Sequence, residues 1–301
     1  MEAGGFTGDH TIEAMLDVSA YLNRIGYAGP TEPTAETLRA LHRAHMLAVP
    51  FENLDIHLGR PILCDEAAFL HKIVDERRGG FCYELNGAFA ALLRALGFCV
   101  ALLSARVSRA DGGESPEFDH LALQVHPRVD LPATVPADVQ AEVPDEDSWL
   151  ADVGFGDSFV EPLLLQPNLE QPQIGRTFRL SESETEIGNV FQLETLAEGS
   201  SANDNSPGGW KRQYSFTLKP RQLPDFAAMC RYHQTSPESH FTQQRICSLA
   251  TRQGRITLSD WKLIERRDGR REERELTGLD PSREDRWRAT LKESFAIVLP
   301  D

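Results

Sequence analysis

Cys82 stands in "RGGFCYELNGAFAALLRALG" (78–97), where two glycines give way to a helical pattern. Leu85, Phe89, Leu92, Leu93 and Leu96 recur at helical steps and define one apolar face, with Gly97 in the favoured position just past the end. Gly79 and Gly80 let the chain turn sharply before this helix. Cys82 is thereby expected in the first turn, where free backbone N–H groups and the helix dipole favour an anion. Such a position lowers a thiol's pKa and makes it a nucleophile. A free Cys without such a setting is usually a small buried apolar residue, which is the reading given to Cys64, Cys99, Cys230 and Cys247. For Cys82, a base decides the matter.

His120 and Asp152 supply one. In "FDHLALQV" (118–125), His120 shares a strand face with Ala122 and Gln124, while Leu121, Leu123 and Val125 take the opposite, core-facing side. In "WLADVGF", Asp152 shares a face with Leu150, away from Trp149, Ala151 and Val153. Antiparallel pairing of 120 with 152 also pairs 122 with 150 and 124 with 148. Residues opposite in such a ladder point the same way, with Cβ atoms about 5 Å apart. The carboxylate then fixes the imidazole tautomer. Cys, His and Asp in this order form nucleophile, base and orienter, as in cysteine proteases, transglutaminases and acyltransferases alike. Spacing and chemistry indicate thiol acyl transfer and leave the acyl group and acceptor open. His42 and His45 are helix-spaced without a third ligand nearby, so they read as helix-surface or packing residues, and no metal site is expected.

The elements that must position these residues fall into three parts. Helical periodicity runs over 12–97, with Thr34 as an N-cap; "VPFENLDIHLGRPI" within it reads as an ordered loop. Strand patterns follow at 98–107, 118–125, 148–156, 160–166, 176–180, 190–194 and 212–218. "EGSSANDNSPGG" (198–209) has linker composition. The last part has a helical run at 224–232, the hairpin-like "RICSLATRQGRITLSDWKLI", and a final helix capped by Asp280-Pro281. The chain has 301 residues, 41% hydrophobic and 26% charged, enough for a sizeable core. A net charge of -15 argues against nucleic acid as a partner. No apolar run reaches the roughly 18 residues of a membrane span, and the N-terminus lacks the basic and apolar regions of a signal peptide. The five cysteines show no C-x-x-C spacing and read as reduced thiols, so a soluble cytoplasmic protein is expected.

Over nearly its whole length the sequence resembles the arylamine N-acetyltransferase family. The likeness rests on "PFENLDIHLGRPI", "RGGFCYELNGAFAALLRALGF", "HLALQV", "WLADVGFGD" and "SPESHFTQQRICSLATRQGRITL". The resemblance implies an α+β multidomain fold: a helical bundle carrying the Cys (1–97), an antiparallel β-barrel carrying His and Asp (98–209), and an α/β lid (210–301). It implies that Cys82 is the acetylated nucleophile, His120 the base and Asp152 its partner, in a cysteine-protease-like arrangement. Gly154, Phe155 and Gly156 match the loop lining the acyl-donor pocket, where glycines let backbone N–H groups approach a phosphate or carbonyl. His240 and Phe241 match residues that contact coenzyme A in some bacterial members, and Phe51 matches an aromatic of the acceptor pocket. Arg78 is expected to hold the glycine turn through an internal ion pair. The implied activity is acetyl transfer from acetyl-CoA, a co-substrate rather than a tightly bound cofactor, to arylamines, arylhydrazines or N-hydroxyarylamines in a two-step exchange. A monomer or weak homo-oligomer is implied. The alternatives are an amide synthase or acyltransferase of the same fold with another donor, and a cysteine hydrolase, although the papain-type C-G-[SA]-C-[WY] signature is absent. One departure is "HPRVDLPATVPADVQAEVPDED" (126–147), longer than bacterial members usually carry. It is expected to be a hairpin extension that leaves the triad in place.

Overall fold

The computed structural model describes residues 16–127, 148–186, 188–197, 209–277 and 282–299. Helix α1 (Val18–Arg24) starts where the Asp17 carboxylate accepts the Ala20 N–H at 3.0 Å, and the chain turns away at Gly26 with φ +66°. Helix α2 (Ala35–Ala48) starts at Thr34, whose hydroxyl accepts the Thr37 N–H at 3.2 Å, as the sequence predicts. The expected loop after it contains two short elements, strand β1 (Phe51–Glu52) and helix α3 (Leu54–His57). Neither is long enough to leave a periodicity. Helix α4 (Glu66–Leu70) runs into a π turn over His71–Asp75. Helix α5 (Cys82–Ala95) begins at Cys82 as expected, but every residue from Cys82 to Leu93 is buried. The apolar face read from the sequence is therefore one side of a helix enclosed all round.

Eight strands follow: β2 (Cys99–Val107), β3 (His120–His126), β4 (Trp149–Ala151), β5 (Leu163–Leu164), β6 (Gln171–Gln173), β7 (Arg176–Thr185), β8 (Gly188–Ala197) and β9 (Lys211–Phe216). They form one antiparallel sheet in the order β5-β4-β3-β2-β9-β8-β7-β6, curled into a nearly closed barrel. Two glutamines bridge the remaining gap. Gln171 accepts the Leu164 N–H and donates to its carbonyl, at 2.8 and 3.0 Å. Gln173 accepts the Val160 and Glu161 N–H groups and donates to the Glu161 carbonyl. Side-chain amides so satisfy backbone groups that an open sheet edge would expose. Strand β9 lies beyond the expected boundary at 209, yet it bonds to β8 and β2 and belongs to this sheet. The loop expected at 198–209 lies, apart from Gly209, outside the described residues, as does 128–147 of the acidic segment.

All seven residues of β3 are buried, which corrects the expectation of a single core-facing side. Leu121, Leu123 and Val125 pack with Trp149, Ala151 and Val153 against the helices, while Ala122 and Leu150 face the barrel interior with Leu193 and Tyr214.

After a 3-10 turn at Leu223–Phe226 come α6 (Ala227–Thr235) and α7 (His240–Gln243). Strands β10 (Ile246–Thr251), β11 (Gly254–Ser259), β12 (Lys262–Arg267) and β13 (Arg270–Glu275) form a meander, with β1 paired to β10 at its edge. The all-charged β13 was not expected, because "RREERE" shows no alternation. The Asp268-Gly269 turn, with φ +50° and +75°, has the signs a tight hairpin needs. Helix α8 (Ser282–Phe295) covers the meander's other face through Trp287, Leu291 and Phe295; its expected Asp280-Pro281 cap lies outside the described residues.

Candidate active site

The turn before Cys82 is held by charge and made possible by missing side chains. A Cβ on Gly79 would lie 1.9 Å from the Pro50 carbonyl oxygen, so no other residue fits while β1 runs alongside. The glycines therefore supply room; neither has the positive φ that a sharp glycine turn suggests. Arg78 is buried, as expected, on Glu52 and Asp55, with Nε–Oε1 and Nη2–Oδ1 distances of 3.0 Å each. Lys72 joins the same cluster, 2.9 Å from Asp55 and 2.7 Å from Glu84. Glu84 reaches back with its other oxygen to accept the Phe81 N–H at 3.0 Å, which tethers the first turn of α5.

On the other side of that turn, His120 Nε2 and Asp152 Oδ2 are 2.7 Å apart and both residues are buried. The pair forms, but not through the expected register. Leu123 faces Ala151 and Val125 faces Trp149, a shift of two residues. A shift of two keeps every side chain on its own face, so His120 meets Asp152 on the diagonal instead of directly across. Asp152 accepts three further hydrogen bonds: Tyr214 Oη at 3.0 Å, and Asn86 Nδ2 and the Gly154 N–H at 2.9 Å each. Burial alone would raise this carboxyl's pKa. The charge of His120, with hydrogen bonds from His120, Asn86 and Gly154, outweighs burial and holds it below the ordinary range.

Three of these contacts were not legible beforehand. Tyr214 comes from β9, far along the chain. Asn86 lies one helical turn from Cys82 and on the same face, the only advance signal of a role; its amide also accepts the Val153 N–H at 2.9 Å. His42, read as a surface or packing residue, is fully buried. Its Nε2 accepts the Asp152 N–H at 3.1 Å, and Nδ1 donates to the Val160 carbonyl at 2.7 Å. Burial lowers its pKa to about 4, so His42 is a neutral strut.

The Cys82 thiol lies beside this pair, hydrogen-bonded to the backbone of Leu121, the residue after His120. Burial pushes it well above an ordinary thiol. The Leu121 and Tyr83 N–H groups pull it down, and the Asp119 and Asp152 charges push it further up. The helix start favours a thiolate, as expected from the sequence, but enclosure outweighs it. Among the other cysteines, Cys230 and Cys247 are buried as expected, whereas Cys64 and Cys99 are half-buried.

A cleft of about 360 Å³ opens next to these residues, lined by Phe51, Phe155, Gly156, Phe241, Asp157 and Arg255 among others. Phe155 packs edge-on to His120, with centroids 5.1 Å apart, and Phe51 meets Phe241 at 6.1 Å. Gly154 does not line it. A Cβ there would lie 2.8 Å from Cys82 Cα and 2.7 Å from Asn86 Nδ2, and its N–H is spent on Asp152. The glycine expected to meet a donor therefore lets the loop close onto α5. His240 is exposed at the start of α7, outside the lining. Among the described residues no cluster of His, Cys, Asp and Glu could hold a metal ion, and no helix is long and apolar enough to cross a membrane.

The family model described as N-acetyltransferase matches residues 34–130 and 137–301, the break falling inside the Pro-rich acidic segment. The pineal gland isozyme NAT-3 of arylamine N-acetyltransferase from Gallus gallus is 33% identical over 296 residues, covering 94% of this chain and 95% of that one. The crystal structure of the Nocardia farcinica arylamine N-acetyltransferase superposes with a TM-score of 0.76 at 36% identity, covering 95% and 91% of the two chains. The structure of the Mycobacterium marinum arylamine N-acetyltransferase in complex with CoA superposes at 0.75 with 29% identity, covering 93% of each. This is an acetyltransferase, and the chain belongs to the arylamine N-acetyltransferase family.

Proposed function

We propose that this protein moves an acetyl group from acetyl-CoA to an arylamine or arylhydrazine through a thioester on Cys82. One observation carries the reading: Asp152, held by four donors, grips His120 through Nε2, while the backbone of the next residue touches the Cys82 thiol. Support for the donor comes from the M. marinum relative, whose structure has been solved in complex with CoA.

The chemistry runs in two balanced halves. Cys82 gives its proton to His120 Nδ1 as its sulfur attacks the acetyl carbonyl. The bond to the CoA sulfur then breaks, and His120 returns the proton to the leaving thiolate. In the second half the amine attacks the Cys82 thioester, His120 takes the amine proton, and the thiol is restored. Asp152 keeps the imidazole oriented and stabilises its charged form. Aromatic amines and hydrazines suit the second half because they carry a free lone pair near neutral pH. Phe51, Phe155 and Phe241 offer the aromatic walls that would seat such a ring.

Mixing with acetyl-CoA alone tests this. Intact mass should show one added acetyl group, mapped to Cys82, with one equivalent of free CoA thiol. A later arylamine should discharge it. Acetyl on another cysteine, or none on freshly reduced protein, overturns the assignment.

A further inference from the structure

Two carboxylates stand beside the Cys82 thiol, and the charge of each raises its pKa: Asp152, and Asp119, the residue before His120. Each carboxylate has its own imidazole. His120 serves Asp152, while His233 of α6 places Nε2 3.1 Å from Asp119 Oδ1 and 3.3 Å from its carbonyl oxygen. Asp119 offers only acceptors there, so Nε2 carries the proton and donates. His233 is buried, and its Nδ1 lies 3.3 Å from Ser239 Oγ, the hydroxyl that caps α7. Phe81, Tyr83 and Phe241 pack around its ring, with centroids at 6.5, 6.2 and 5.1 Å. The backbone leading into this contact is held from several sides. Phe118, just before Asp119, has φ +67°, a region that non-glycine residues rarely adopt. Its N–H donates to Ser104 Oγ at 2.8 Å, and Tyr83 Oη donates to its carbonyl at 2.8 Å, with the Asp119 carbonyl 3.2 Å away. Asn86 Nδ2 donates to the Leu121 carbonyl at 2.6 Å. The first turn of α5 is thereby pinned to residues 118–121, and the Asp119 carboxylate to α6.

Burial would raise the Asp119 carboxyl. Hydrogen bonds from His233 and Ser115, with the charges of His233 and His120, outweigh burial and hold it below the ordinary range. Asp119 is therefore an anion at neutral pH, beside a sulfur that must act as an anion to attack a thioester. Tyr83, raised by burial, and Cys230, raised by its hydrogen bond with Cys64 and by burial, stay neutral nearby. Tyr232 meets the His233 ring at 5.7 Å. Resting on the thioester reading above, we propose that His233 is a positioning residue for the acyl transfer: its Nε2–H holds the Asp119 carboxylate against α6 and screens that charge from the Cys82 sulfur. The sulfur then faces two carboxylates that are each engaged by an imidazole, and neither is left to repel a thiolate.

The readout is the pH profile for alkylation of Cys82 by iodoacetamide, followed on the Cys82 peptide by mass spectrometry, which needs no acetyl-CoA. His233→Phe keeps a ring among its aromatic neighbours and removes the donor. Its profile should move up by about one pH unit, the low end for an unscreened like charge. Acylation by acetyl-CoA at pH 7 should slow about tenfold, the change in thiolate share that one unit brings. His233→Gln places an amide N–H near the position of Nε2 but loses the ring, and should stay close to wild type. Asp119→Asn should move the profile down, and adding it to His233→Phe should cancel the upward shift. Circular dichroism checks folding; should His233→Phe not fold, His233→Leu takes its place with the same expected shift. Four results would overturn the proposal and leave His233 a packing residue. They are a profile unmoved by loss of the donor, one unmoved by Asp119→Asn, a His233→Gln profile as displaced as that of His233→Phe, and a double variant that keeps the upward shift. If acetyl-CoA leaves wild-type Cys82 unlabelled while the alkylation profiles move as expected, the thioester reading fails and the screening of Cys82 stands.

Discussion

Asp152 and Glu84 are both fully buried carboxylates that reach the first two turns of α5, yet their protonation is pushed in opposite directions. Asp152 is held below the ordinary carboxylate range, and Glu84 is raised from 4.5 to about 7. Burial is the leading cause at both sites, and it acts in the same sense. The partners make the difference. Asp152 has a histidine, a tyrosine, an asparagine amide and a backbone N–H to itself. Glu84 shares Lys72 with Glu52 and Asp55, and the Glu52 charge works against it. Depth of burial therefore does not set a carboxylate's state; the count of donors against competing anions does.

The sharpest way to break this comparison is Asp152→Asn. The fold should persist, while transfer falls on the order of 10³- to 10⁴-fold because the amide no longer fixes the His120 tautomer. CoA-thiol release, with circular dichroism as the folding check, reads it. Near-normal turnover would mean that another group orients His120. Next comes Lys72→Met, which leaves the buried Glu52, Asp55 and Glu84 with only Arg78 and the half-exposed Arg60 to balance them. Removing one partner of such a cluster costs about 3–5 kcal/mol, visible as a lower urea midpoint. A loss under about 1 kcal/mol would place the cluster with weak surface pairs.

Tyr214→Phe sharpens the comparison by removing one of the four donors on Asp152 while keeping the ring. Acylation should slow by about tenfold, in line with one lost hydrogen bond to a charged group. The pH profile for alkylation of Cys82 should move as well, which a simple packing defect would not produce. The smallest effect belongs to Glu84→Gln. Between 4.5 and about 7 the folded chain holds a Glu84 proton that the unfolded chain has released. Stability therefore falls as pH rises through that window, by at most about 1.4 kcal/mol per pH unit. The glutamine variant should flatten that slope in urea midpoints measured from pH 5 to 8. An unchanged slope would mean that Lys72 keeps Glu84 ionised throughout.

Much of this was legible in the sequence, and for local reasons. The start of α5 at Cys82, the cap at Thr34 and the faces of β3 and β4 follow from periodicities of 3.6 and 2 and from capping chemistry, all contained within a few residues. Because strand faces repeat every second residue, the meeting of His120 with Asp152 could be read even though the register was off by two. The order of Cys82, His120 and Asp152 along the chain was likewise enough to suggest thiol acyl transfer.

What the tertiary structure alone decided depends on residues far apart in sequence. The Cys82 helix start argues for a low thiol pKa, and only the packing of α5 between the helices and the barrel reverses it. His42 read as a helix-surface or packing residue, and nothing local to α2 places it under Asp152. Tyr214 reaches Asp152 only because the sheet curls until β9 lies across from the loop after β4. The three arginines around Asp157 are unremarkable charged residues at 176, 255 and 266 until a meander and a barrel strand bring them to one carboxylate. Burial and charge neighbourhood are sums over the whole fold, and a sequence window holds too few of their terms.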